Sequence, residues 1–145
     1  MGGLIMNREV KFRGKLVDSE EWIYGYLREV WGENQRNFVI APGLKFEYDG
    51  YTDKEEDYVQ PETIGQFTGF HDQNRKEIYD GDILRFYDNN KEYVCVIGWN
   101  NEVGAWCIRF KGEKHVGTRP LGEWIFEYKI EVIGNIYDNK ELLEE

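Results

Sequence analysis

The sequence predicts an all-β fold, and three observations carry that reading. Phe, Trp and Tyr make up 16% of the chain, and such flat side chains pack well on pleated, half-buried surfaces. Short runs alternate apolar and polar residues with a period of two, the spacing of side chains along a strand. Between them lie clusters of Asn, Asp and Gly. With 16 Gly against 3 Pro, the balance favours tight turns over stiff linkers. At 145 residues and 41% hydrophobic content, the chain supports one ordinary core or two small ones.

The first strand is expected over Val10–Val17, with Val10, Phe12, Gly14 and Leu16 on one face and Lys11, Arg13, Lys15 and Val17 on the other. Asp18–Glu21 turns the chain, and Trp22–Trp31 returns it as the second arm of a hairpin. Arg8, Lys11, Arg13 and Lys15 form a basic stripe. It reads as cross-strand partners for acids such as Glu29, with an anionic partner as the other reading. Short strands follow over Phe38–Ile40 and Leu44–Tyr48. From Glu47 to Asp57 there are six acids and one base, flanked by Tyr48, Tyr51 and Tyr58. The stretch lacks the alternating acids, central Gly and closing Glu of a calcium loop, so it reads as a solvated loop.

Gln60–Tyr87 organises the rest. Pro61 has no N–H to give a ladder and is expected at a strand start or edge. Gly65 and Gly69 interrupt the apolar run Ile64, Phe67, Phe70. Asp72–Arg75 is a turn whose Asx side chains can accept from backbone two residues on, and Asp80-Gly81-Asp82 is a second turn. A meander follows over Ile83–Tyr87, Glu92–Trp99 and Ala105–Phe110, with EYVCVIGW apolar enough to be covered on both faces. Lys111–Gly122 reads as a loop. Trp124–Ile133 alternates and is expected as a strand, Gly134 as its bend, and Asp138 or Asn139 as the cap of a terminal turn over Lys140–Leu143.

The segment PETIGQFTGFHDQNRKEIYDGDIL, with KFRGK near the start and EVIGNIYDNKELL at the end, resembles the YopX family of phage and prophage proteins. The three blocks stand in the family's order and span about Asn7 to Leu143. One departure is Arg75, where the family's turn usually carries Gly, so a residue with a side chain stands at a position suited to positive φ. The resemblance implies a C-terminal SH3-like β-barrel, a setting in phage genomes and no assigned activity. The domain reading is therefore an N-terminal β-meander with the acidic loop over residues 1–58 and a barrel over 59–145.

A formal charge of -10 and pI near 4.8 disfavour direct nucleic-acid binding, because an acidic surface repels phosphates. No apolar run is long enough to span a membrane and MGGLIMNREVKF has no signal-peptide core. Met1–Ile5 reads as an extension ahead of Met6, and the bacterial cytoplasm is the expected compartment. Cys95 and Cys107 fall on neighbouring expected strands and read as buried free thiols in a reducing environment.

Little here points to catalysis. Ser19 sits in a turn, His71 and His115 lie in no nucleophile motif, and two Cys twelve apart with isolated His do not make a zinc set. No cofactor or metal is expected. Asp80 and Asp82 could act as paired carboxylates in metal-assisted hydrolysis, against the plainer reading that they bond backbone in a turn. The leading expectation is a non-enzymatic module that binds a host or phage protein, with Tyr51, Tyr58, His71 and Asn74 as contact residues. An acidic decoy of nucleic acid is the first alternative, and uncovered strand edges allow a homodimer.

Overall fold

The computed structural model describes residues 9–32, 34–41 and 58–144. Met1–Ile5, Arg8, the strand expected over Leu44–Tyr48 and the acidic stretch with Tyr51 lie outside the described residues. The chain divides into two units, Met1–Phe67 and Thr68–Glu145. The described residues are mostly strand, in antiparallel sheets with one α-helix, and no helix among them is long and apolar enough to cross a membrane.

In the first unit the expected hairpin forms from β1 (Phe12–Lys15) and β2 (Trp22–Gly32), and β3 (Gln35–Ala41) extends it. β4 (Gly65–His71) begins here and pairs with β1 through Phe12↔Gln66 and Arg13↔Gly65, giving the order β3-β2-β1-β4. Tyr58–Gln60 is stitched to two of these strands. The Val59 N–H donates to the Phe38 carbonyl at 2.9 Å, and the Gln60 N–H to the Lys15 carbonyl at 2.8 Å. Val39, Ile40 and Val59 are buried.

Two expectations change in this unit. Pro61 opens a 3-10 turn, Pro61–Thr63, where its missing N–H would have had no intrahelical partner anyway. Among the described residues the basic stripe does not pair with Glu29, because β1 faces only Trp22–Gly25 of β2. Glu29 instead meets Arg36 of β3 at 2.8 Å. Lys11 takes Glu9 at 3.1 Å, Lys15 takes Glu20 at 2.6 Å, and the Arg13 guanidinium lies 4.7 Å over the Trp22 ring.

The second unit starts with the end of β4, a turn, and β5 (Glu77–Tyr79). Then come β6 (Asp82–Asp88), β7 (Lys91–Asn100), β8 (Ala105–Phe110), α1 (Leu121–Glu127) and β9 (Glu131–Asn135). The meander of three strands is as expected. Asn89 and Asn90 join β6 to β7 with φ of 50° and 66°, as the two central residues of a type I′ hairpin require. The sheet order is β8-β7-β6-β9. Among the described residues β8 and β9 do not pair with each other, so this sheet stays open rather than closing into a barrel.

The expected strand over Trp124–Ile133 is instead a helix followed by β9. Leu121, Trp124, Ile125 and Tyr128 pack on the core formed by residues such as Leu84, Phe86 and Ile97. Their spacing of i, i+3, i+4, i+7 is one helical face. The alternation of Trp124, Phe126 and Tyr128 is a coincidence of composition, because Phe126 is 95% exposed. Pro120, in extended conformation, sets the start of the helix within the expected loop.

β9 pairs with β6, with a register shift between Ile83 and Leu84 and a close approach at Gly134, where a Cβ would lie 2.5 Å from Asn139 Oδ1. That oxygen accepts the Asn135 N–H at 3.1 Å. The terminal 3-10 turn Lys140–Leu143 is therefore present without a side-chain cap from Asn139. Cys95 and Cys107 are both buried and free. Cys95 faces Phe110 and Cys107 faces Gly98, an offset that puts the thiols on opposite faces of the sheet. Both edges of the sheet meet other backbone or side chains. Ile108 of β8 accepts the Gly117 N–H at 2.9 Å, and Ile130, just before β9, accepts the Gln73 N–H at 2.9 Å.

Candidate functional site

The turn between β4 and β5 is built on one carboxylate. Asp72 is buried, and its Oδ1 accepts the N–H groups of Asn74 at 2.8 Å and Lys76 at 2.9 Å. This is the Asx bonding expected from the sequence. Its Oδ2 reaches the Val132 N–H at 2.9 Å. Arg75 holds φ = 66°, so the turn keeps the left-handed residue although the side chain is not Gly. His71 and Asn74 are exposed on this turn.

Next to it in sequence, Phe70 is 38% exposed and its ring lies on Gly122 of α1: a Cβ there would stand 3.1 Å from Phe70 Cζ. Gly122 and Phe126 are four residues apart, hence neighbours on one helix face. Phe70 and Phe126 therefore flank one patch. A cavity of about 540 Å³ opens beside it, lined by Arg119, Gly122, Glu123, Phe126 and Glu127. Arg119 hydrogen-bonds Glu127, lies 3.9 Å from Glu123 and covers the Trp124 ring at 4.3 Å. The bond to Glu127 pushes the Arg119 guanidinium up from its ordinary value, with both carboxylates adding to it.

The other sequence candidates fall elsewhere. Tyr51 lies outside the described residues. Tyr58 belongs to the first unit, is half-buried, and its carbonyl accepts the Val17 N–H at 3.0 Å. Asp82 is 2% exposed and its Oδ2 accepts the Tyr79 N–H at 2.7 Å, the turn-locking role. Asp80 is half-buried. No group of three or more His, Cys, Asp or Glu side chains converges among the described residues. Sequence reasoning missed Phe126 because it placed that residue on a strand. The helical spacing of Leu121, Trp124, Ile125 and Tyr128 is the signal that turns it outward.

Among solved structures, the chain is similar to protein EF1440 from Enterococcus faecalis. The two are 21% identical over 94% of this chain and 99% of that one, with a TM-score of 0.49. No curated protein sequence matches. The family described as YopX protein matches residues 11–144. That is nearly the whole chain, and the protein belongs to the YopX family.

Proposed function

We propose that this protein is a non-enzymatic accessory module of a phage or prophage that binds another protein, host or phage, in the bacterial cytoplasm. One observation carries the reading: Phe126 is 95% exposed on a helix whose other face is packed into the core. A large aromatic left in water beside a second exposed ring is the kind of residue that protein interfaces enlist. Phe70 on Gly122 widens the apolar surface, and His71 and Asn74 supply polar groups from the adjoining turn. The finer fold reading belongs to the same proposal. A three-stranded meander, one helical segment and a strand returning beside the meander's first member is the strand order of an SH3-like fold, here left open between β8 and β9.

The test is a photo-crosslinking amino acid placed at Phe126, with irradiation in host cells and mass spectrometry of adducts. One protein joined at 126 but not at exposed Lys140, and lost from affinity capture with Phe126→Glu, is the expected result. Equal labelling at both positions overturns the reading.

A further inference from the structure

A second cavity, of about 530 Å³, lies at the far end of the β7–β8 pair from the Asn100–Ala105 turn, lined by Lys91, Glu92, Tyr93, Val94, Phe110, Lys111 and Glu113. Its volume is in the range of small-molecule sites. The aromatic wall is rigid: Tyr93 stacks on Phe86 at 5.3 Å with planes 14° apart and meets Phe110 edge-on at 6.0 Å. Phe110 is itself braced by Trp124 at 5.6 Å.

The four charges around this wall are not equivalent. Glu92 is engaged by the Tyr87 hydroxyl at 3.2 Å and Arg85 at 4.0 Å. The Glu113 carboxylate turns back to the Phe110 N–H at 3.4 Å. The two ammonium groups, by contrast, have no carboxylate partner within ion-pair distance among the described residues. Lys91 rests 5.1 Å over the Tyr93 ring, where a flat ring would stack. Lys111 is the second cation on the rim. Two such ammonium groups beside an aromatic wall run against the charge of -10 of the whole chain.

The geometry points to a site for a mononucleotide: an aromatic base against Tyr93 and Phe110, and a phosphate between Lys91 and Lys111. A phosphate monoester carries close to two negative charges at neutral pH, which two ammonium groups match. Base–aromatic stacking tolerates any base. Lys91 leaves the ring face as the base arrives and delivers its charge to the phosphate. The same chemistry is offered by a free nucleotide and by the 5′-phosphorylated end of a single strand; the acidic surface elsewhere favours the free form.

The experiment is a heteronuclear NMR titration of the full chain with AMP, GMP, CMP and UMP. Adenosine and inorganic phosphate serve as partial probes, and a 5′-phosphorylated hexanucleotide as the strand. Shifts centred on Tyr93, Phe110 and Lys111 are expected, with adenosine or phosphate alone at least tenfold weaker. The Lys91→Gln/Lys111→Gln double variant, whose changes are on exposed and half-exposed side chains, keeps its melting temperature and loses affinity at least tenfold. Tyr93→Leu, which keeps an apolar side chain but removes the ring, also weakens binding. Tighter binding of the hexanucleotide than of AMP assigns the site to strand ends, and equal or weaker binding assigns it to free nucleotides. Absence of shifts at millimolar nucleotide, or equal affinity in the double variant, overturns the proposal.

Discussion

Asp72 Oδ2 accepts the Val132 N–H at 2.9 Å across sixty residues of sequence, while Oδ1 of the same carboxylate holds the turn of which Asp72 is the first residue. One buried side chain thus fixes both a local turn and the start of the last strand of its unit.

Removing that carboxylate leaves three backbone donors without their acceptor. Asp72→Ala is expected to cost about 3 kcal/mol, in line with charge-assisted bonds lost at a buried site. Asp72→Asn keeps the turn oxygen but sets an amide donor against the Val132 N–H, so it falls between wild type and Ala. Urea denaturation monitored by tryptophan fluorescence checks the order.

Arg75 sits at φ = 66°, a conformation that costs an L-residue roughly 1–2 kcal/mol. Glycine relieves this but is more flexible when unfolded, so Arg75→Gly is expected to gain about 0.5–1 kcal/mol. A higher melting temperature in calorimetry is the expected sign, and a lower one contradicts the assignment of strain.

Helix α1 buries Leu121, which falls in the expected loop, and turns Phe126 outward, where the expected strand puts it on one face with Trp124. Leu121→Ala, at a fully buried position, is expected to cost about 2–5 kcal/mol. Phe126→Ser, at a position 95% exposed, stays within about 0.5 kcal/mol of wild type. Chemical denaturation of the two variants decides between helix and strand over these residues.

Burial pushes the Cys95 thiol up from 9.0 to about 12. The folded state then holds this proton more tightly than the unfolded chain. The stability it contributes is full below pH 9 and is lost between pH 9 and 12, as the unfolded thiol ionises and the folded one does not. The slope from this group is about 1.4 kcal/mol per pH unit. Comparing urea midpoints of wild type and Cys95→Val from pH 8 to 11 isolates it, because other titrating groups are common to both. Thiol reagents at pH 8 should modify Cys95 only after unfolding.

The parts of the fold legible in sequence are those governed by local rules. The β1–β2 hairpin, the β6–β8 meander and the Asx turn at Asp72 follow from alternation and turn chemistry. Helix α1 was hidden because seven residues rich in Trp, Ile and Phe have strand composition, and only the packing of Leu121 fixes the period. The contact patch was hidden with it. Asp72 was read correctly as a turn residue, but its bond to Val132 depends on a pairing sixty residues away that no local pattern encodes. Lys91 and Lys111 line one cavity with Tyr93 and Phe110 only because β7 pairs with β8.

The edges of the four-stranded sheet have a further consequence. On the β8 side, Gly117 and Pro120 lie against Ile108 and Cys107; on the β9 side, Gln73 and Asp72 take up groups of Ile130 and Val132. An incoming peptide that adds itself as an extra strand needs a free row of N–H and C=O groups. Those rows are interrupted here by the chain's own loops. Strand addition at this sheet is therefore hindered on both sides by the protein's own backbone, and its strands are guarded against fibrillar stacking.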